Sequence, residues 1–234
     1  MDPQLFSIGH IPAALWGRPS NRVIVAVHGA QSSKTDAPFS LLAEANPHCQ
    51  VLSFDLPEHG DRKAGATPCK PRICVEELSF VLDYAESRWK ETGLFAVSMG
   101  AYFSLLACQS RKLCHAWFLS PVVDMERLTQ DMMGWFGISE ARLEQEKTVP
   151  TPMGQTLCWD DYGYIRRHPV GRWPFPTDIL RGAGDTLCAE ETVTGFAERF
   201  RCHLRIEEGA GHWFHTPEEL EALSSWLRDT AFLR

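Results

Sequence analysis

One decapeptide constrains this chain more than any other segment: Gly93-Leu94-Phe95-Ala96-Val97-Ser98-Met99-Gly100-Ala101-Tyr102. An apolar run that reads as a buried strand passes directly into small, helix-compatible residues, and a serine stands at the junction. A chain that turns from strand to helix within so few residues must bend sharply at Ser98, which strains its backbone and leaves its hydroxyl at the tip of the turn. The bend brings together the residues two before and two after the serine, so both must be small. Ala96 and Gly100 satisfy this. The commoner pattern is G-x-S-x-G, and the A-x-S-x-G here adds one methyl group at the tight point. By itself the pentapeptide leaves open a plain structural serine between a core strand and a core helix.

An acid and a histidine follow at matching element boundaries. Pro176-Thr177-Asp178-Ile179-Leu180-Arg181-Gly182-Ala183-Gly184-Asp185 reads as a short strand running into a glycine-rich loop, which presents the Asp185 carboxylate just beyond the strand end. Cys202–Glu208 alternates as a strand does, and Gly209-Ala210-Gly211-His212 then forms a turn ahead of the last helix. Asp124, after the strand that follows the serine's helix, is an alternative acid, but the loop around Asp185 favours Asp185. His215 falls at the edge of the final helix, where a packing or capping use fits better than catalysis. The order Ser98, Asp185, His212 is nucleophile, acid, histidine, the order associated with the α/β-hydrolase fold rather than with chymotrypsin or subtilisin.

A third segment supplies the electrophilic half of acyl-transfer chemistry. Arg22-Val23-Ile24-Val25-Ala26-Val27-His28-Gly29-Ala30-Gln31 is a buried-strand run ending in a His-Gly turn that can aim a backbone N–H at a bound carbonyl oxygen. The N–H groups of Ala30 and of Met99 would form a two-donor oxyanion hole, with Gln31 as the alternative to Ala30. With these residues in place the chain resembles the α/β-hydrolase superfamily over nearly its whole length. Its H-G-A and S-M-G tripeptides are most similar to the serine aminopeptidase and monoacylglycerol-lipase-like branch. Asp55-Leu56-Pro57-Glu58-His59-Gly60 resembles a D-x-P-G-H-G segment of that branch, with Glu58 where glycine is usual. The residues themselves read as a turn in which Asp55 and His59 make local hydrogen bonds, and His28 as a brace for the oxyanion loop.

The remaining chain fits one domain, 1–234. Its 234 residues, 44% of them hydrophobic, suffice for a sizeable core. A net charge of −7 with both signs interspersed gives no basic groove for nucleic acid and no polybasic membrane patch. The N-terminal residues lack a charged n-region followed by an apolar run, and no stretch reaches the roughly 20 apolar residues that span a bilayer. A cytoplasmic protein without a stable membrane anchor is therefore expected. The eight cysteines include no C-x-x-C pair and no zinc spacing, so neither metal nor organic cofactor is implied. Reduced, packed thiols are expected, although Cys69 and Cys74 flank a short loop and could form a redox-sensitive pair.

Strands near 22–28, 50–55, 93–97, 115–120, 177–182 and 202–207 alternate with helices near 37–45, 74–90, 99–109, 189–200 and 217–229. That alternation predicts a mostly parallel central sheet with helices on both faces. In the last helix Thr216, Pro217 and Glu219 compose a capping box, which fixes where the His212 loop must end. About 50 residues, 124–175, interrupt the alternation where this fold commonly carries a cap. They are rich in aromatic residues and methionines, so a small helical lid is expected, with Trp135, Trp159 and Trp173 as candidate pocket residues beside Gln31 and Trp213. The combined expectation is a serine hydrolase acting on a small-molecule ester with an apolar acyl or alcohol part. A peptidase, thioesterase or acyltransferase on the same fold is the alternative within enzymes, and a hydrolase-like binding protein without turnover is the alternative outside them.

Overall fold

The structure, a computed structural model, describes residues 2–232. Its frame is an eight-stranded sheet whose apolar strands are buried on both sides. β1 (Gln4–Ile8) and β2 (Ile11–Trp16) form an antiparallel hairpin across a two-residue turn, with Gly9 at φ +59°. β3 (Arg22–Val27), β4 (Gln50–Phe54), β5 (Glu91–Val97), β6 (Ala116–Leu119), β9 (Thr177–Gly182) and β10 (His203–Glu207) are mutually parallel, and the spatial order is β1-β2-β4-β3-β5-β6-β9-β10. Four of the five residues that follow Arg22 in β3 are Val or Ile and all are fully buried, as expected of a strand covered on both faces.

One face carries α2 (Pro71–Glu86), α3 (Met99–Ala107) and α7 (Glu190–Phe200); the other carries α1 (Ala37–Ala45) and α8 (Pro217–Asp229). α2 starts three residues earlier than the sequence predicts because Pro71 takes the first helical position, where a missing N–H costs nothing. The hairpin β1-β2 lies outside the predicted strands. Its short strands include Pro12, and β2 joins the sheet by antiparallel pairing with β4.

Between β6 and β9 lies the insert: α4 (Met125–Trp135), α5 (Glu140–Glu146), the small antiparallel pair β7 (Thr148–Pro150) and β8 (Thr156–Cys158), and α6 (Trp159–Arg167). It is thus mixed rather than wholly helical. Met132, Met133, Ile138, Leu143, Val149, Leu157 and Tyr162 give it a small core of its own. Among the described residues no helix is long and apolar enough to cross a membrane.

Candidate active site

Ser98 is the residue between β5 and α3, with φ +51° and ψ −122°. A non-glycine residue at positive φ is costly, and it persists only where its surroundings hold it. Here Ser98 N–H donates to the Leu119 carbonyl at 3.0 Å, and the Ser98 carbonyl accepts from Val122 N–H at 3.0 Å, so the end of β6 and the loop after it hold the turn from both sides. The demand for a small residue at 100 comes chiefly from β3. A Cβ there would lie 2.6 Å from the His28 carbonyl oxygen and 2.9 Å from that of Val27.

The structure brings Ser98, His212 and Asp185 together. Ser98 Oγ lies 2.9 Å from His212 Nε2, and His212 Nδ1 lies 2.8 Å from Asp185 Oδ2. Nδ1–H donating to the carboxylate leaves Nε2 as the acceptor for the serine hydroxyl. All three residues are buried. Asp185 Oδ1 accepts the N–H groups of Leu187 at 2.9 Å and Cys188 at 3.1 Å. Burial would raise the Asp185 pKa, but the His212 hydrogen bond and charge, with the two amides, hold it below the ordinary carboxylate value.

Glycine is what lets the acid loop and the histidine loop meet. A Cβ on Gly182 would lie 2.3 Å from the carbonyl oxygens of both Ala210 and Gly211, and Gly184 N–H donates to the Ala210 carbonyl at 2.9 Å. Two residues that sequence reasoning did not assign to the site complete this scaffold. Buried Arg181 donates to the carbonyls of Gly182, Asp185 and Cys188, tying the acid loop into a compact turn. Glu219 does more than cap α8: its carboxylate accepts the N–H groups of Gly211, His215 and Thr216, each at 3.0 Å, and so grips the histidine loop on both sides of His212. Its place in the capping box was a visible signal, but its reach back to Gly211 was not.

The loop after β3 is fixed by two buried groups. His28 Nδ1–H donates to the Gly29 carbonyl at 2.7 Å, and its Nε2 accepts Leu56 N–H at 3.0 Å. Burial lowers its pKa to about 4, so it braces the loop as a neutral ring. Asp55 accepts Lys34 N–H at 2.8 Å, Lys34 Nζ at 2.7 Å and Asp61 N–H at 3.0 Å. A Cβ on Gly60 would fall 2.1 Å from the Asp55 carboxylate, which accounts for the glycine. Gln31 takes φ +60° on this loop. Met99 opens α3, where a backbone N–H has no acceptor within the helix.

Two cavities meet at Ser98. The open one, about 560 Å³, runs past Ala30, Gln31, Ser32, Asp36, His212, Trp213 and Leu220. The other, about 210 Å³, lies under the insert and is walled by Ala30, Met99, Phe103, Met125, Leu128, Met132, Leu157, Tyr162 and Ile165. The residues from α4 in that wall, Met125, Leu128, Thr129 and Met132, repeat at helical spacing.

Gln31 and Trp213 line the open cavity beside Ser98, whereas Trp135, Trp159 and Trp173, the candidate pocket residues of the insert, line neither cavity. Trp173 is buried against Phe118 and Phe175, its Nε1–H held by Thr177 Oγ1 at 2.7 Å, which turns it toward the sheet. Trp159 packs on Tyr162 and the insert's own core. Trp135 ends α4 past the cavity rim and is 48% exposed. Asp124, the alternative acid, caps α4 by accepting Arg127 N–H at 2.9 Å. His215 donates from Nδ1 to the Trp213 carbonyl at 2.6 Å, at the entry to α8.

Asp185, Cys188 and His212 offer three potential metal ligands within 4.8 Å. Their chemistry suits a cation poorly. The imidazole already spends one nitrogen on Asp185 and the other on Ser98, and burial pushes the Cys188 thiol up to about 12, far from the thiolate a metal needs.

Residues 24–223 match the alpha/beta hydrolase family, and the chain belongs to it. Among solved structures, Est1E from Butyrivibrio proteoclasticus with ferulic acid bound has a TM-score of 0.79 at 16% identity, covering 97% of this chain and 96% of that one. Mouse alpha/beta hydrolase domain-containing protein 10 has a TM-score of 0.76 at 14% identity, over 98% of both chains. An a/b serine hydrolase without lid from Xanthomonas campestris has a TM-score of 0.65 at 13% identity, over 97% of this chain and 93% of that one. No curated protein matches this sequence.

Proposed function

We infer that this protein is a serine hydrolase that cleaves a small carboxylic ester through an acyl-enzyme intermediate, with Ser98, His212 and Asp185 as the catalytic triad. The observation that carries this reading is the continuous hydrogen-bonded chain from Ser98 Oγ through His212 to Asp185, placed where two cavities meet. Ser98 Oγ attacks the ester carbonyl while His212 Nε2 takes its proton; the imidazolium that forms is stabilised by Asp185. The N–H groups of Ala30 and Met99 receive the developing oxyanion, with Gln31 as the alternative donor, an interaction commonly worth about 3–4 kcal/mol per donor. The imidazolium then protonates the leaving alcohol, and water repeats the sequence on the acyl-enzyme.

The apolar cavity under the insert suits the acyl group, and the wider cleft beside Gln31 and Trp213 suits the leaving alcohol. Est1E, solved with ferulic acid bound, supports including aromatic acyl esters among the substrates tried. A binding protein without turnover would have no use for a strained, buried, fully aligned serine. Treatment with a fluorophosphonate separates the two: the wild type should be labelled at Ser98, and Ser98→Ala should lose both labelling and about 10³–10⁶-fold of its ester turnover. An unlabelled, inactive wild type across ester, thioester and amide panels would leave the binding role standing instead.

A further inference from the structure

A second reactive site adjoins the first and takes no part in ester cleavage. Cys69 and Cys74 have their Sγ atoms 3.6 Å apart. The contact follows from the start of α2: with Lys70 as the N-cap and Pro71 in the first turn, Cys69 and Cys74 occupy the two positions that an apolar staple brings together across a helix N-terminus. Both residues usually placed there are inert hydrocarbons; here both are thiols. Cys74 is buried, whereas Cys69 is only partly so and forms part of the wall of the cavity that opens on Ser98.

The surroundings of Cys69 are those of a reactive thiol. Its backbone N–H donates to Glu58 at 2.9 Å, which fixes the residue beside the Asp55–Gly60 turn. The His59 ring, held at Nδ1 by the Pro57 carbonyl at 2.7 Å, is close enough to Cys69 to favour its thiolate. Hydrogen bonding from Cys74, opposed by burial and helped by His59, draws the Cys69 thiol well below its ordinary range. Cys74, through that contact and burial, shifts the other way and keeps its proton. The pair is thereby divided into an attacking and a resolving member.

We propose that Cys69 is a hydroperoxide-reactive thiol that closes a disulfide onto Cys74 in the wall of the Ser98 cavity. In the first step the Cys69 sulfur attacks the terminal oxygen of the hydroperoxide. The O–O bond breaks, the alcohol or water leaves with a proton, and Cys69 becomes a sulfenic acid. In the second step the Cys74 sulfur attacks Cys69 Sγ, its proton goes to the departing hydroxyl, and water is released. Two thiols are oxidised and one peroxide is reduced, two electrons in each direction. The second step requires the sulfurs to close by about 1.6 Å, to a bond of about 2.0 Å.

The test uses the whole reduced protein exposed to a small excess of hydrogen peroxide at neutral pH, then alkylated, cut with trypsin and analysed by mass spectrometry. Trypsin cleaves after Arg72 and so puts the two cysteines on separate peptides. The expected product is those two peptides joined by a disulfide, formed roughly tenfold faster or more than oxidation of exposed Cys114. Cys74→Ser should stop at a Cys69 sulfenic acid that dimedone traps, and Cys69→Ser should form no crosslink. The proposal is overturned if wild-type Cys69 oxidises no faster than Cys114, or if its sulfenic acid accumulates in the wild type without pairing to Cys74.

Discussion

Replacing Asp185 by asparagine tests the acid assignment more sharply than removing the side chain, because the structure dictates how the amide must sit. Asp185 Oδ1 receives two backbone N–H groups, from Leu187 and Cys188, and Oδ2 receives His212 Nδ1–H. An asparagine oxygen can replace Oδ1, which turns the NH2 group toward Nδ1. The imidazole must then carry its proton on Nε2, and a protonated Nε2 cannot accept from Ser98. Reversing the amide would restore the histidine but would set NH2 against two backbone donors. Leaving those unsatisfied costs about 1–3 kcal/mol each. The first arrangement therefore prevails and removes the base, so kcat/KM on a p-nitrophenyl ester should fall about 10⁴-fold, equivalent to about 5.4 kcal/mol of barrier. Circular dichroism should show an intact fold. Asp124→Asn is the matched control, since asparagine caps a helix as well as aspartate does, and it should retain activity within about threefold. A folded Asp185→Asn protein that keeps a tenth or more of its activity would refute the assignment.

Two further outcomes follow from the same geometry. The three amides that Glu219 accepts hold its carboxyl down to about 2 in the folded protein against an opposing effect of burial. Its folded value lies below the unfolded value, so its contribution is complete above about pH 4.5 and disappears as the pH falls through about 2. Glu219→Gln should therefore be less stable by about 1–3 kcal/mol at pH 6 in urea unfolding, with the gap narrowing toward pH 3; a gap independent of pH would count against the ionised grip on the histidine loop. In the insert, Met132→Trp or Leu157→Trp should fill the cavity under α4 and move ester preference toward shorter acyl chains by about 1–3 kcal/mol, whereas Trp135→Ala should leave the chain-length profile of kcat/KM unchanged. If all three variants shift the profile equally, the cavity is not the acyl site.

The central sheet was legible because its strands satisfy a demand that shows in a single sequence. Val23 to Val27 and Leu94 to Ala96 are unbroken apolar runs, and nothing but a doubly covered strand disposes of such runs in alternation with amphipathic helices. The β1-β2 hairpin was not legible for the same reason in reverse. Pro12 and the small residues Ala13 and Ala14 carry little strand signal, and β2 is a strand chiefly because β4 offers it a partner. Antiparallel addition at a sheet edge is decided by tertiary pairing rather than by local preference.

The site divides along a similar line. Ser98, Asp185 and His212 could be named because each stands at a strand's carboxyl end beside residues that only a tight approach requires. A Cβ at Gly100 or Gly182 would collide with neighbouring backbone carbonyl oxygens. The tryptophans of the insert carry no such record. A large apolar side chain is equally suited to lining a cavity, to joining the insert to the sheet as Trp173 does, or to resting half in solvent as Trp135 does. What distinguishes the cavity residues is their phase on α4, where Met125, Leu128, Thr129 and Met132 form one stripe. That stripe lines the cavity that opens on Ser98, and Asp124, five residues after β6, caps the helix that carries it. Residue type told that the insert would bury apolar surface. Which surface it presents to the serine follows from the phase of α4, which residue type alone does not show.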